Sequence, residues 1–410
     1  MPIVADSTHP ESIPVSRAGD TQNEPFDVAR VAARVVEQLG ETAIARDRAG
    51  GVPKRERDII RRSGLLRLII PREQGGTGAS WPEALSVVRK IGEVDGSLAH
   101  LYGFQHLLLA TLRLFGEKGQ YEPLFTATAE REWFWGNALN PLDTRATIDP
   151  SGSGFVIEGK KSFASGAGDS DMLVVSANRP SDGKLLIAAI PTKREGITVL
   201  GDWDNMGQRQ TDSGTVEFRQ VRVEAAELLT TPGPLGTPFA SLRPCIAQLT
   251  LANVYLGIAQ GALAEARRVT ASRGAAWFLS GVERATDDPY VLHHFGELWL
   301  ELEAARLLTD AAAANLDDAW RQGESLTAER RGECAVAVAL AKAKTTRAGL
   351  DVVHRMFEVT GARATTARED LDRFWRNLRT HTLHDPVDYK LRELGRYFVL
   401  GEAPKPSFYS

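Results

Sequence analysis

The hydrophobic period of this chain changes twice, and that order constrains the fold more than any single motif. From Asp27 to about Phe125, in "DVARVAARVVEQLGETAIARDRAG" and "WPEALSVVRKIGEVDGSLAHLYGFQHLLLATLRLF", apolar residues return every three or four positions, the spacing of a helix face. Near Arg131 the texture becomes short runs rich in Val, Ile, Phe and Trp, among them "EWFWGNAL", "GFVIEGKKSFASGA", "DMLVVSANR", "KLLIAAIP", "GITVLGDW" and "GTVEFRQVRV", parted by Gly, Pro, Asp and Ser. From about Pro238 the helical period returns in four longer stretches, the last being "DLDRFWRNLRTHTLH". The expectation is an α+β multidomain chain: a flexible arm over 1–26, an N-terminal helical domain over 27–130, a central β-barrel domain over 131–236, and a C-terminal four-helix bundle with its tail over 237–410. Small residues surround the large apolar ones in the bundle helices, so those faces are expected to serve subunit contact as well as the core.

With 410 residues, 43% hydrophobic and 25% charged, the chain can bury a large core. Its net charge of −4 comes from interspersed signs, which offers no electrostatic track for nucleic acid or an anionic membrane. Two cysteines, Cys245 and Cys334, have no paired spacing and suit a reducing compartment, so a cytoplasmic location is expected. No run of roughly 18 apolar residues stands out as a membrane span, and the first residues lack the pattern of a secretory signal.

The stretch "RTHTLHDPVDYK" sets His381 and His384 three residues apart, followed by Asp385 and Pro386. It can be read as a metal site, an acid/base pair, part of a cofactor pocket, or basic residues complementing a helix end. One adjacent carboxylate is a thin ligand set, so no metal is expected. "WFWGNALN" places Asn137 among large rings, "KSFASGAGDSD" places Ser165 beside two glycines, and "DWDNMGQRQTDSG" adds Trp203. Apolar walls with a few fixed polar groups are what a flat, hydrogen-bonding ring system needs, and buried core aromatics with a plain turn are the competing reading. His100 falls in an apolar helical stretch near Phe104, where a satisfied core histidine is the ordinary explanation. No dinucleotide, P-loop, zincin or nucleophile-elbow motif occurs in its required context.

The helix–strand–helix order, with "PREQGGTGAS", "GKKSFASGAGDSD", "MGQRQTDSGTVEFRQVRV", "VTGAR" and "RNLRTHTLHDP", resembles the acyl-CoA dehydrogenase fold over about residues 27–400. Within it, "ARDRAGG", "SGLLRLIIPRE", "AQLTLANVYLGIAQGAL", "DRFWRNLRTHTLHDPVDYK" and "PSFYS" look like the dibenzothiophene monooxygenase branch. That resemblance implies a two-component monooxygenase. FMN, as FMNH2, with FAD possible, is reduced by a separate NAD(P)H-dependent flavin reductase and reacts with O2 to a C4a-hydroperoxide that oxygenates an organosulfur substrate, usually in a homotetramer. It also implies that Asn137, Ser165 and His384 line the flavin's reactive edge, that His100 holds or activates the peroxide, that Trp203 and Phe104 face the substrate, and that Arg363 meets the flavin phosphate. His381 is left as structural. Phe104 stands where that branch typically has Tyr, and "SRGAAWF", with Ala275, replaces its Arg-Pro-Trp segment, which makes a smaller sulfide or sulfone as plausible as a polycyclic thiophene. The alternative is an acyl-CoA dehydrogenase with bound FAD, in which Asp385 falls opposite the glutamate base of many members, one methylene shorter and ahead of a proline.

Overall fold

A computed structural model describes residues 26–410; the expected arm lies outside the described residues except for Phe26. Five α-helices come first: α1 (Val28–Ala49), α2 (Lys54–Arg62), α3 (Trp81–Val94), α4 (Gly96–Phe115) and α5 (Lys118–Arg131). What reads in sequence as one long amphipathic stretch is divided at Asp95, which is extended and whose carboxylate accepts from the Leu98 amide at 2.8 Å to cap α4. A capping box between Ser80 and Glu83 starts α3.

The middle of the chain forms β1 (Trp135–Ala138), β2 (Thr147–Ser151), β3 (Gly154–Lys161), β4 (Met172–Asn178), β5 (Leu185–Pro191), β6 (Ile197–Val199) and β7 (Val216–Val223). Their single curled sheet runs β1-β4-β2-β3-β7-β6, with β5 paired to β4 and β1 parallel to β4. Strand β2 is the one that sequence reading passes over: "TIDPS" is largely exposed and carries Pro150, so it lacks the apolar alternation of its neighbours. Alternate residues of β4 serve two cores. Met172 and Val174 join the large helical core, while Leu173, Val175 and Ala177 close the smaller core inside the sheet.

The C-terminal helices are α6 (Leu242–Arg273), α7 (Pro289–Gln322), α8 (Ala328–Thr360), α9 (Asp372–His381) and α10 (Val387–Leu400). The expected fourth bundle helix, "DLDRFWRNLRTHTLH", is α9, which ends at His381; the chain turns through Pro386, and α10, which sequence reading did not place, follows and packs along α8. A proline that ends one helix is also well placed to start another, because its fixed φ suits the first turn.

Helix α6 is long and apolar enough, with a mean hydropathy of 1.2 over its most apolar window, to match a membrane span by length and composition, yet 83% of that window is buried inside the fold. Its glycines meet α3: a Cβ on Gly257 would lie 2.3 Å from the Arg89 carbonyl, and one on Gly261 1.9 Å from that of Glu93. The large apolar residues left exposed are elsewhere, many of them on the 275–284 loop, on α7 and at the end of α10.

Candidate active site

Helix α4 is buried almost throughout and touches β1, α6 and α9, so a side chain on it reaches the junction of all three regions. His100 lies there with its ring centroid 4.0 Å from Phe104 and 4.7 Å from His381, the last residue of α9. His100 Nδ1 and His381 Nε2 are 2.7 Å apart, a hydrogen bond across 281 positions of sequence. The direction of the proton follows from the next partner. The Tyr255 hydroxyl donates to the His381 carbonyl at 2.8 Å, so its oxygen can only accept from His381 Nδ1, 3.4 Å away. His381 Nε2 is then the acceptor, His100 Nδ1 the donor, and His100 Nε2 a bare lone pair. That nitrogen is buried and without a protein partner.

Burial, with His384 adding repulsion, pushes His100 down to about 3, and burial and its neighbours push His381 well below the usual histidine range. Both imidazoles are neutral at pH 7. The pair therefore presents a hydrogen-bond acceptor, not a cation.

His384 lies just beyond, with its side chain 41% exposed and its Nδ1 2.9 Å from Asp385 Oδ1. Asp385 is buried and also accepts from Lys342 Nζ at 3.2 Å. Burial alone would raise Asp385, but the hydrogen bond from His384 and the Lys342 charge together hold it well below the usual carboxylate range. A carboxylate so engaged is a poor proton-abstracting base. The Tyr409 ring of the tail approaches His384 at 6.0 Å between centroids.

The β domain contributes two loops. Asn137, on β1, donates its backbone N–H to the Ser165 carbonyl at 2.9 Å. Gly166 follows in the left-handed region at φ 72°, clamped by Arg57 of α2, which donates to the Gly166 and Asp169 carbonyls at 3.1 and 2.8 Å and sits 4.2 Å over the Phe134 ring. Ser165 Oγ lies 2.7 Å from Ser213 Oγ; Ser213 donates to Thr211 Oγ1 at 2.7 Å, and Thr211 to the Gln208 carbonyl at 3.0 Å. Because each hydroxyl in this chain has one proton, Ser165 must donate to Ser213, which leaves its oxygen a lone pair with which to accept. Trp203 donates to the same Gln208 carbonyl at 2.8 Å and meets Phe163 edge-on at 6.0 Å; Phe163 is 60% exposed and held at φ 58°. Asn377 of α9 fastens this loop, accepting from the Gln208 amide at 2.6 Å.

The structure therefore joins His100 and Phe104 to the α9 turn carrying His384, and joins Asn137, Ser165 and Trp203 through the two loops packed on α4 and α9. Arg363 stands apart: it is exposed on the 3-10 turn Ala362–Thr365 after α8, and among the described residues no hydrogen bond or ion pair links it to the others. His381, read from sequence as structural, is the direct partner of His100. Sequence reasoning also passed over Tyr255, Lys342, Ser213 and Phe163. Only Lys342 had a visible signal, a charge within the apolar run "AVAVALAKAK". Among the described residues no group of three or more His, Cys, Asp or Glu side chains is gathered for a metal.

Comparison with known proteins now bears on this geometry. The acyl-CoA dehydrogenase N-terminal, middle and C-terminal domains match residues 27–132, 127–221 and 249–389. The chain is 54% identical over 387 residues to the probable FMNH2-dependent monooxygenase SfnC of Pseudomonas putida, spanning 94% of this chain and 98% of that one. It is 43% identical to the dibenzothiophene monooxygenase of Rhodococcus qingshengii, spanning 98% and 99%. The solved structure of methanesulfinate monooxygenase MsuC from Pseudomonas fluorescens is 55% identical and superposes with a TM-score of 0.92 over 93% of this chain and 99% of that one. The resemblance read from the motifs, to dibenzothiophene monooxygenases within the acyl-CoA dehydrogenase fold, is borne out.

Proposed function

The chain belongs to the acyl-CoA dehydrogenase family, and from that premise we infer that it is a reduced-flavin-dependent monooxygenase, using FMNH2 and O2 to oxygenate a small organosulfur compound. The observation that carries this reading is the contrast between two groups at the junction. Asp385, where a dehydrogenase would keep its base, is tied to Lys342 and His384, while the buried His100 offers an unpartnered lone pair.

The residues present fit a flavin. His100 Nε2 is a buried acceptor without a protein partner and Ser165 Oγ keeps a lone pair beyond its bond to Ser213, which suits a ligand whose ring edge carries N–H donors, and the exposed Phe163 with Trp203 supplies an aromatic wall. Reduced FMN supplies the electrons that activate O2. Ser165 and Asn137 would hold the ring edge, His100 would accept a proton-bearing oxygen's hydrogen bond, and His384 would offer Nε2 on the other side. The helices packed on His100 and His381 keep water away from that acceptor. Phe104, stacked on His100, adds no hydroxyl there, and the higher identity to the sulfinate and SfnC enzymes favours a small substrate over a polycyclic one.

We further propose that a separate NAD(P)H-dependent flavin reductase supplies the reduced flavin and that the enzyme works as a homotetramer, to which Arg363 contributes a phosphate contact at an interface. Exposed Trp277, Phe278, Leu279, Trp299 and Leu300 support self-association. The free thiols Cys245 and Cys334 support a cytoplasmic setting.

The test is a coupled assay with NADH, FMN and a generic flavin reductase against methanesulfinate, a small dialkyl sulfone and dibenzothiophene, with products read by mass spectrometry. Incorporation of one oxygen atom, fastest with a small substrate, is expected. Tightly retained FAD together with turnover of an acyl-CoA and an artificial electron acceptor would establish the dehydrogenase alternative instead.

A further inference from the structure

We propose that Lys342 of α8 is a positioning residue for this site, its buried ammonium setting the protonation pattern of His384 through Asp385 and of His381 through Tyr255. The proposal deepens the monooxygenase reading and rests on it for the roles of the two histidines. Lys342 is 1% exposed, on a helix where an apolar residue would pack as well. A buried ammonium is costly unless paired, so its presence calls for a reason beyond packing.

Two contacts supply one. Lys342 Nζ donates to Asp385 Oδ1 at 3.2 Å, and the same oxygen lies 2.9 Å from His384 Nδ1. An ionised carboxylate has no proton to give, so His384 Nδ1 carries the hydrogen and Nε2 is left for the ligand. The Lys342 charge helps keep Asp385 ionised; without it, burial favours the protonated carboxyl, which no longer confines the His384 hydrogen to Nδ1. On its other side Lys342 Nζ sits 4.9 Å over the ring of Tyr255, whose hydroxyl meets His381. A fixed positive charge there disfavours protonating His381, which keeps a single proton between His381 and His100. The other charged groups facing this cluster are Lys390 of α10, which adds repulsion to Lys342, and His384 itself. Burial, opposed by Asp385, brings Lys342 down to about 8, so it is still mainly charged at pH 7.

The test uses full-length protein labelled with nitrogen-15 in histidine, without flavin, the His384 signals being those lost in His384→Gln. The wild type should show the His384 hydrogen on Nδ1. Lys342→Met should spread it over Nδ1 and Nε2, and Lys342→Arg should keep the wild-type pattern. Should Lys342→Met fail to fold, Lys342→Gln, which keeps a hydrogen bond to Asp385 without the charge, is expected to show the same spread. In the coupled assay the neutral variants should lose at least fivefold in product formed per O2 consumed, with substrate KM unchanged. An unaltered His384 pattern in a folded neutral variant overturns the proposal. Failure of the wild type to oxygenate any sulfur substrate would count against the monooxygenase reading alone, since the spectra are recorded without flavin or turnover.

Discussion

His106 shows what a buried imidazole does to a protein of this kind. It lies on α4 with 1% exposure, edge-on to Tyr102 at 4.8 Å, and burial pushes it down to about 3. In the fold it stays neutral, whereas in the unfolded chain it takes up a proton as pH falls through about 6.5. The unfolded state then binds more protons, so its contribution is fully favourable above about 6.5 and is lost progressively down to about 3. His106→Leu should therefore shrink the loss of unfolding free energy between pH 7 and pH 5 by about 2 kcal/mol, read from urea unfolding at the two pH values. His100 and His381 obey the same rule, since burial pushes both down as well. Sequence could name His100, Asn137, Ser165 and His384 because motifs carry residue types and spacing. It ranked His384 above His381, left as structural, but could not see that His381 is the partner of His100, because that contact spans distant parts of the chain, whereas His384 faces its neighbour Asp385.

Among the elements, α6 and α3 approach so closely that backbone meets backbone. A Cβ at Gly261 would lie 1.9 Å from the Glu93 carbonyl. Gly261→Ala should cost roughly 1–3 kcal/mol or more through forced separation of the two helices, seen as a lower melting temperature. Gly395→Ala on α10, where an added Cβ meets nothing within 4 Å, should instead be neutral or stabilising by about 0.5–1 kcal/mol. Small residues in the bundle helices were legible in sequence, but not that the glycines of "GIAQG" would be covered by α3, since a face does not say what will cover it. Helix α10 was missed for a related reason: Pro386 marks a break without saying where the chain goes next.

At the scale of the whole molecule, Trp299 and Leu300 on α7 are 63% and 67% exposed, as an interface residue would be in an isolated chain. On the proposed homotetramer, Trp299→Glu should lower the mass measured by light scattering to that of a smaller assembly and weaken FMN binding with it, while the secondary-structure signal stays unchanged. The succession of helices, strands and helices was legible because apolar period and turn chemistry are local, fixed by residues a few positions apart. The acceptor on His100 and the engagement of Asp385 were not. Each depends on groups far apart in the chain, on α4 with α9 and on α8 with the turn after α9, and only packing brings them within hydrogen-bond distance. Residue types thus set what chemistry was available, and the fold set which nitrogen would carry the proton.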